Sequence, residues 1–371
     1  MSDGKGLSSQ ARPSDEYVND EICHARRAGS VLESEGQKIP SLLVAGRERA
    51  MVDSIAPHGL HHVTAIAEDP QRNVDFYTTV LGLRLVKRTV NFDAPETYHL
   101  YYGDSSGRPS TLLTFFPWPG APKGRQGTGL TTATAFSVPS ESLGWWQQRL
   151  QALGVDADAP VAHSDHEVLR LRDPDGLVIE LIASEGDSRS GWDGVAAISS
   201  DDAIRGLFSV TMTEQALDPT AEMLAGMLGM EHGQDTTDGT RFVMAGGAEG
   251  TAVDVRPSKA SRGLQAAGTV HHIAFRAPDG ETQAKWRLEL IDAGVQVTEI
   301  IDRQYFTSIY FREPGGVLLE IATDQPGFTV DEPLLELGQH LKLPPWLEPN
   351  REQIQASLPA LRVPPPPESA A

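Results

Sequence analysis

The stretch Arg172-Asp-Pro-Asp-Gly-Leu-Val-Ile-Glu180-Leu-Ile182 occurs twice in this chain. It returns as Arg312-Glu-Pro-Gly-Gly-Val-Leu-Leu-Glu320-Ile-Ala322 at an offset of 140 residues, which also carries Gly154-Val155 onto Gly294-Val295. Each copy is a turn rich in Pro and Gly followed by an apolar run, and this pattern predicts a β-strand entered from a tight turn. Recurrence at a fixed spacing indicates a repeated structural unit.

A second repeat lies upstream of the first one. Gly59-Leu60-x-x-Val63-Thr64 becomes Gly206-Leu207-x-x-Val210-Thr211, and Leu81-Gly82-Leu83 becomes Leu228-Gly229-Met230, both at an offset of 147 residues. Several ordered matches at nearly constant offsets are hard to obtain by chance. The chain therefore holds four modules in the order 1-2-3-4, in which module 1 resembles module 3 and module 2 resembles module 4.

Each module has the same predicted order of elements, a strand, an amphipathic helix and three further strands. The opening strands are predicted at His61 to Ala67, Thr131 to Val138, Leu207 to Thr213 and Thr269 to Arg276. One such unit cannot cover both faces of its sheet. We therefore predict an α+β fold, in which four βαβββ modules pair into two curved, half-open barrels.

Two of the predicted helices carry a clear apolar stripe and end at a glycine. In module 4 the helix is predicted over Glu281 to Ala293, with its stripe and terminal glycine at Trp286, Leu290, Ile291 and Gly294. In module 2 the predicted N-cap is Ser140, and the stripe and terminal glycine are Leu143, Trp146, Leu150 and Gly154.

The modules suggest a division into four regions. Residues 1–55 hold many polar residues without a sustained period, and we expect a loosely ordered N-terminal extension there. Residues 56–190 form a predicted first domain with modules 1 and 2, and residues 200–325 a second domain with modules 3 and 4. Residues 326–371 form a C-terminal extension, whose end at Val363 to Pro367 is expected to be a Pro-rich surface tail.

Composition narrows the choice of partners. The chain has 371 residues, with 31 Lys and Arg against 51 Asp and Glu, so its formal net charge is −20. Such a surface repels phosphate backbones and anionic lipid, so we expect neither nucleic acid nor a membrane as a partner. The one cysteine, Cys23, excludes an internal disulfide. No apolar run reaches the ~18 residues of a membrane span, and we expect a soluble, cytoplasmic protein.

Two histidine doublets open modules 1 and 4. They are His61-His62 and His271-His272, whereas the equivalent pairs in modules 2 and 3 are Thr132-Ala133 and Phe208-Ser209. A single histidine at the start of a strand is more often a hydrogen-bonded structural residue than a ligand. Doublets at equivalent positions of two modules, absent from the other two, favour metal binding instead.

A carboxylate on the last strand of a module completes the candidate site. Glu320 in module 4, Glu180 in module 2 and Asp254 in module 3 lie at or near equivalent places. Two imidazoles and one carboxylate form the facial triad of non-heme Fe(II) oxygenases. Only modules 1 and 4 together offer this set, so we interpret Glu180 as a structural or vestigial residue.

Strand geometry raises a question about the doublets. Adjacent residues of a strand point to opposite faces, so each doublet should direct only one ring toward a metal. Periodicity alone does not say which ring that is. Tyr310 lies ten residues before Glu320 and Arg303 seven before that, and each of them, taken alone, is more often a packed or surface residue.

The motifs resemble a known family. An H-H-V-T opening and an L-E-I-A ending on βαβββ modules resemble the vicinal oxygen chelate (glyoxalase–bleomycin resistance–dioxygenase) superfamily. The resemblance is greatest to its hydroquinone ring-cleaving dioxygenases, of the 2,6-dichlorohydroquinone 1,2-dioxygenase type. It rests on Leu60 to Thr64, Leu85 to Thr89, Tyr98 to Tyr102, Gly144 to Trp146, Val270 to Phe275 and Gly327 to Pro333, and covers about residues 57 to 362.

The resemblance implies a set of roles for this chain. The second member of each doublet, His62 and His272, would ligate Fe(II) together with Glu320, and Mn(II) is the alternative metal. The substrates would be O₂ and a small aromatic, a substituted or plain para-hydroquinone that is opened beside a hydroxyl with insertion of both oxygen atoms. The pocket would be lined by catalytic or hydrogen-bonding groups at His61, His271, Thr64, Arg303 and Tyr310. A homo-oligomer is also compatible with this family.

Two other functions fit the same scaffold. One is a glyoxalase-like metal-dependent isomerase or a thiol transferase, and the glyoxalases of this family generally add a fourth protein ligand. The module 1 position that matches Glu320 falls near Thr114 to Pro117, where no carboxylate occurs. The other is a metal-free protein that binds small aromatics, which would not need the triad.

Overall fold

In the computed structural model of the protein, the described residues are 55–163, 166–195, 197–247 and 249–365. The predicted extension before residue 55 and the last residues of the Pro-rich tail therefore lie outside the described residues. Within the described part of the chain, no helix is long and apolar enough to cross a bilayer.

Each module folds as a strand, a helix and three strands, as predicted. The strands are β1 (Leu60–Ala67), β2 (Arg84–Asn91), β3 (Ala94–Gly103), β4 (Leu112–Pro117), β5 (Leu130–Pro139), β6 (Val161–His163), β7 (His166–Arg172), β8 (Val178–Ser184), β9 (Gly206–Glu214), β10 (Glu231–Thr236), β11 (Gly239–Val243), β12 (Ala252–Pro257), β13 (Thr269–Ala277), β14 (Ile301–Asp302), β15 (Thr307–Arg312) and β16 (Leu318–Thr323). The predicted opening strands agree with β1, β5, β9 and β13 to within one residue at each end.

One helix follows each opening strand, and a fifth lies near the C-terminus. They are α1 (Pro70–Asp75), α2 (Leu143–Ala152), α3 (Asp218–Ala221), α4 (Gly280–Asp292) and α5 (Arg351–Ser357). In modules 1 and 3 the helix continues as a π-helical turn, over Phe76–Val80 and Glu222–Met227.

The stripe predicted for α4 is wrong at one position. Trp286 and Leu290 are buried, but Ile291 is 40% exposed. The third buried residue is Gln283, three positions before Trp286 on the same helical face, whereas Ile291 is five positions after it. The Gln283 amide donates to the carbonyls of Thr307 and Ile321, so a polar side chain is satisfied inside the core.

In α2 the predicted stripe of Leu143, Trp146 and Leu150 is buried, as expected. Ser140 does not cap this helix, because it lies in a 3-10 turn over Ser140–Ser142 that precedes α2. Both predicted terminal glycines are confirmed. Gly154 has φ +68° and Gly294 has φ +86°, a left-handed conformation that favours glycine after a helix.

The strands form two curved sheets of eight strands each, which confirms the predicted fold class. The first sheet has the order β14-β15-β16-β13-β1-β4-β3-β2, and the second has the order β10-β11-β12-β9-β5-β8-β7-β6. Module 4 therefore joins module 1 through the antiparallel pair β1–β13, and module 3 joins module 2 through β5–β9. The sheets do not follow the predicted halves 56–190 and 200–325, because each half gives one module to each sheet.

A β-bulge occurs at the same position of all four opening strands. In the β1–β13 pair, His61 is skipped on one strand and His271 on the other. In the β5–β9 pair, the skipped residues are Thr132 and Phe208. These four residues are the first members of the equivalent pairs in the repeat. An extra residue bends a strand and redirects its side chain, so the bulge is part of the repeated unit.

The C-terminal extension returns to module 1. It contains short 3-10 turns at Phe328–Val330, Leu334–Glu336 and Glu348–Asn350, followed by α5. The Lys87 ammonium of β2, which is fully buried, contacts Asp331 at 2.7 Å and Glu332 at 2.6 Å. A buried cation needs such partners, so these ion pairs fix the segment after β16 against the first sheet.

Candidate metal centre

The register of the first sheet brings three predicted ligands to one face. His62 lies opposite Ala274 in the β1–β13 pair, and Ala274 lies beside Glu320 in β16. His272 lies opposite Thr64, two residues along the same face of β1 from His62. Directly paired residues share a face of a sheet, so both imidazoles and the carboxylate lie on the same face of the first sheet.

The ligand atoms lie close together. His272 Nε2 is 2.9 Å and His62 Nε2 is 3.4 Å from Glu320 Oε2, and the two imidazole nitrogens are 3.3 Å apart. All three side chains are buried, and their ligand atoms lie within 4.8 Å of one another. Among the described residues, this is the one group of three or more His, Cys, Asp or Glu that could hold a metal ion.

The chemistry of these groups fits a divalent cation. Glu320 Oε1 accepts a hydrogen bond from the Ser308 hydroxyl, but Oε2 is buried without a hydrogen bond of good geometry. Burial alone would raise the pKa of Glu320, but His62 and His272 lower it well below its usual range. Burial lowers the pKa of His272. An ionised carboxylate and a neutral imidazole are the forms that bind metals.

The bulge explains how each doublet is arranged. His61 Nδ1 lies 2.9 Å from His62 Nδ1, and His271 Nδ1 lies 2.7 Å from His272 Nδ1. The first ring of each doublet thus lies beside the second instead of on the opposite face of the strand. Because Nδ1 of His62 and of His272 is engaged, Nε2 of each ring is the nitrogen that faces Glu320, and such a contact is a usual way to fix a histidine that binds a metal.

The first histidine of each doublet has a lowered pKa. Burial, followed by the neighbouring ring of the doublet, lowers the pKa of His61 and of His271 well below the usual value. The Phe306 ring lies 5.0 Å from that of His61 and 5.2 Å from that of His62, between centroids. An apolar wall on this side helps to keep water away from the ligands.

Arg303 and Tyr310 lie together on the module 4 side. Tyr310 is directly opposite Glu320 in the β15–β16 pair, and its ring centroid is 5.7 Å from that of His272. Arg303 Nε donates to the Tyr310 hydroxyl at 3.2 Å, and Arg303 Nη1 contacts Asp93 at 2.7 Å. The structure therefore places both predicted pocket residues beside the ligand group.

Thr64, a predicted pocket residue, contacts a group of side chains on the module 1 side that sequence reasoning missed. Its hydroxyl is 2.8 Å from the Thr114 hydroxyl, which is 2.9 Å from His99 Nε2, and His99 Nδ1 is 2.8 Å from the Tyr101 hydroxyl. Burial, followed by the charges of His62 and His272, lowers the pKa of His99 well below the usual value. The alternation of His99 and Tyr101 along one strand was the signal that could have identified them.

Comparisons with known proteins agree with this geometry. The sequence matches the family described as Glyoxalase/Bleomycin resistance protein/Dioxygenase superfamily over residues 59–181 and again over 209–321. The Bacillus subtilis (strain 168) protein MhqE, named as a ring-cleaving dioxygenase, is 43% identical over 305 residues, which cover 82% of this chain and 99% of that protein.

Two further proteins are similar over a comparable length. The chlorohydroquinone/hydroquinone 1,2-dioxygenase of Sphingobium indicum is 32% identical over 309 residues, which cover 80% of this chain and 94% of that protein. A crystal structure of a protein named as a dioxygenase from Bacillus subtilis aligns with a TM-score of 0.81 at 41% identity, covering 84% of this chain and 99% of that one.

Proposed function

The chain belongs to the glyoxalase/bleomycin resistance protein/dioxygenase superfamily, and we propose that it is an Fe(II)-dependent dioxygenase that opens the ring of a para-hydroquinone beside a hydroxyl group. The observation that carries the proposal is the convergence of His62, His272 and Glu320 with no second carboxylate in the group. Three protein ligands leave three positions of an octahedral ion free, as oxygenases need. The relatives named as ring-cleaving dioxygenases support the same reaction.

Iron at this position would supply Lewis acidity toward a phenolic oxygen and redox chemistry toward O₂. The remaining work falls to side chains around it. We propose that His61 or His271, both neutral imidazoles, takes the proton of the substrate hydroxyl, because a base must be unprotonated to act. Arg303 and the Tyr310 hydroxyl would stabilise negative charge that develops on oxygen during ring opening.

Manganese is the alternative metal, because the same ligand set also accepts Mn(II). A glyoxalase-like isomerase is less well supported. The position opposite Tyr101, where module 1 would need a second carboxylate, holds Thr114. A metal-free binding protein would not need two buried imidazoles and a buried carboxylate that converge on one point.

Oxygen uptake tests this function. Protein reconstituted anaerobically with Fe(II), or with Mn(II) in parallel, is given hydroquinone, chlorohydroquinone, methylhydroquinone and catechol in turn. We expect one O₂ consumed per hydroquinone, with loss of the aromatic absorbance. Preference for catechol would contradict the proposed substrate class. No uptake with any of the four by iron-loaded protein would contradict the reaction and favour the isomerase.

A further inference from the structure

An internal two-fold axis relates modules 1 and 4 in the first sheet, but the residues around the candidate metal position follow it only in part. The axis passes between Val63 and Ile273, which are paired in the β1–β13 ladder. It relates equivalent positions of modules 1 and 4, and the five relevant pairs are His62 with His272, Thr64 with Ala274, Thr114 with Glu320, Tyr101 with Tyr310, and His99 with Ser308. The two imidazole ligands and the two tyrosines obey the symmetry.

Symmetry fails at three of the five pairs. Thr64 has Ala274 as its counterpart, and the other two differences, Thr114 against Glu320 and His99 against Ser308, compensate each other in size. On the module 4 side the small Ser308 donates a hydrogen bond to the long Glu320. On the module 1 side the large His99 contacts the short Thr114, with Nε2 and Oγ1 2.9 Å apart. The imidazole of His99 thus occupies space that a second carboxylate would need. A threonine at 114 cannot reach the metal position as Glu320 does.

The module 1 side is also suited to an aromatic ligand. His99 is half-buried, so part of its surface stays accessible. The Phe116 ring lies 4.3 Å from that of His99 and 5.6 Å from that of His271, between centroids. Aromatic faces with a few polar groups are typical of small-molecule sites.

We propose that the aromatic substrate binds on the module 1 side of the metal position, and that Thr114 and His99 determine the specificity of the reaction. Thr114 keeps the side opposite Glu320 free of a protein ligand, and His99 with the Thr114 hydroxyl receives the polar edge of the ring. This inference rests on the proposed function, because it assumes a hydroxylated aromatic ligand of the metal.

The double variant Thr114→Glu/His99→Ser copies the module 4 arrangement onto module 1. Metal affinity is measured with Co(II), and hydroquinone binding is followed under argon by the change in the visible Co(II) spectrum. We expect Co(II) to bind at least tenfold more tightly to the variant, and hydroquinone to leave its spectrum unchanged. Glu180→Gln, at the equivalent strand position of the second sheet, is the control and should match the unmodified protein in both measurements.

Retention of the hydroquinone-induced spectral change by a folded double variant would overturn the inference. If that variant does not fold, the single variants Thr114→Val and His99→Gln decide the matter. Each should weaken hydroquinone binding to the Co(II) protein at least tenfold while Co(II) affinity stays within threefold. Unchanged hydroquinone binding in both would overturn the inference.

These outcomes separate the inference from the proposed function. Hydroquinone binding to the unmodified Co(II) protein without O₂ uptake by the Fe(II) protein would refute the proposed function alone. Uptake by the Fe(II) protein, combined with unaltered hydroquinone binding in the variants, would refute the substrate position alone.

Discussion

The two sheets carry different residues at two kinds of equivalent position. In the first sheet the residues opposite the carboxylate position are Tyr101 and Tyr310, whereas in the second sheet they are Arg170 and Arg241. The imidazole positions of the first sheet, His62 and His272, correspond to Ala133 and Ser209 in the second. The backbone is shared, down to the bulge, so the side chains alone account for the difference.

In the second sheet an arginine pairs with the carboxylate at each of the two positions equivalent to Glu320 and Thr114. Arg170 Nη2 is 2.6 Å from Glu180 Oε1. Arg241 binds Asp254 through two contacts, with Nε 2.7 Å from Oδ1 and Nη2 2.8 Å from Oδ2. A forked guanidinium contact saturates a carboxylate. Among the described residues, the group that could hold a metal ion thus forms where imidazoles are present and no ion pair with arginine engages the carboxylate.

The largest effect should follow from changing equivalent glutamates in the two sheets. Glu320→Gln removes the anionic ligand, so we expect metal affinity and O₂ uptake to fall by about a thousandfold or more. Glu180→Gln should leave both nearly unchanged. Metal content after dialysis measures binding, and circular dichroism checks that both variants fold. Loss of metal in Glu180→Gln, with metal retained in Glu320→Gln, would show that the site lies in the second sheet instead of the first.

A smaller change in metal affinity should follow from removing a serine–carboxylate hydrogen bond in each sheet. Ser308→Ala withdraws the hydroxyl that orients Glu320, and such partners are typically worth about 10- to 100-fold in metal affinity. Ser137→Ala removes the bond from Ser137 to Asp187 at β5 and serves as the control. Competition with a chelator measures both variants. An affinity within twofold for Ser308→Ala would show that Glu320 is oriented by other contacts.

Breaking an arginine pair should affect stability instead of metal binding. Arg241→Met leaves the largely buried Asp254 without its guanidinium, and we expect a loss of about 2 kcal/mol in the free energy of unfolding. Arg241→Met/Asp254→Leu should recover most of it. Urea unfolding of both variants, with metal content measured beside it, checks this. Altered metal content in Arg241→Met would contradict the separation of the two sheets.

A buried carboxylate of the second sheet, Glu214, should have a raised pKa, whereas that of Glu320 in the first sheet is lowered. Burial and the neighbouring Glu313 raise the pKa of Glu214, the last residue of β9, to about 8. A folded-state pKa above the unfolded value of ~4.3 means that stability falls as pH rises from about 4 to 8. Glu214→Gln should abolish this slope, so the variant gains about 4 kcal/mol over the unmodified protein between pH 5 and pH 9. An equal difference in the free energy of unfolding between the variant and the unmodified protein at pH 5 and at pH 9 would contradict the raised pKa of Glu214.

Much of the fold could be predicted from the repeat. The offsets of 140 and 147 residues define four modules, and turns such as Asp173 to Gly176 mark their strands. The pairing of module 1 with module 4 depends on hydrogen bonds between β1 and β13, which lie about 200 residues apart, and a local pattern does not encode that contact. Hydrophobicity alone predicted Ile291 on the buried stripe of α4. The structure buries Gln283 there instead, because two backbone carbonyls accept hydrogen bonds from its amide.

The candidate site was predictable where the repeat supplied a contrast. The two doublets and Glu320 were identified because modules 2 and 3 lack the histidines, whereas the choice of His62 and His272 within the doublets rested on the family resemblance. His99 was missed because its counterpart, Ser308, shares no chemistry with it, and the relation between them is visible only in the strand register. The bulge that brings both rings of a doublet together is likewise a property of the ladder between two distant strands.

Anomalous diffraction at the iron edge from crystals of the Fe(II)-loaded protein would test the central claim most directly. The account predicts one strong peak per chain, bounded by His62 Nε2, His272 Nε2 and the Glu320 carboxylate. A peak between Glu180 and Asp254, or none near Glu320, would contradict it.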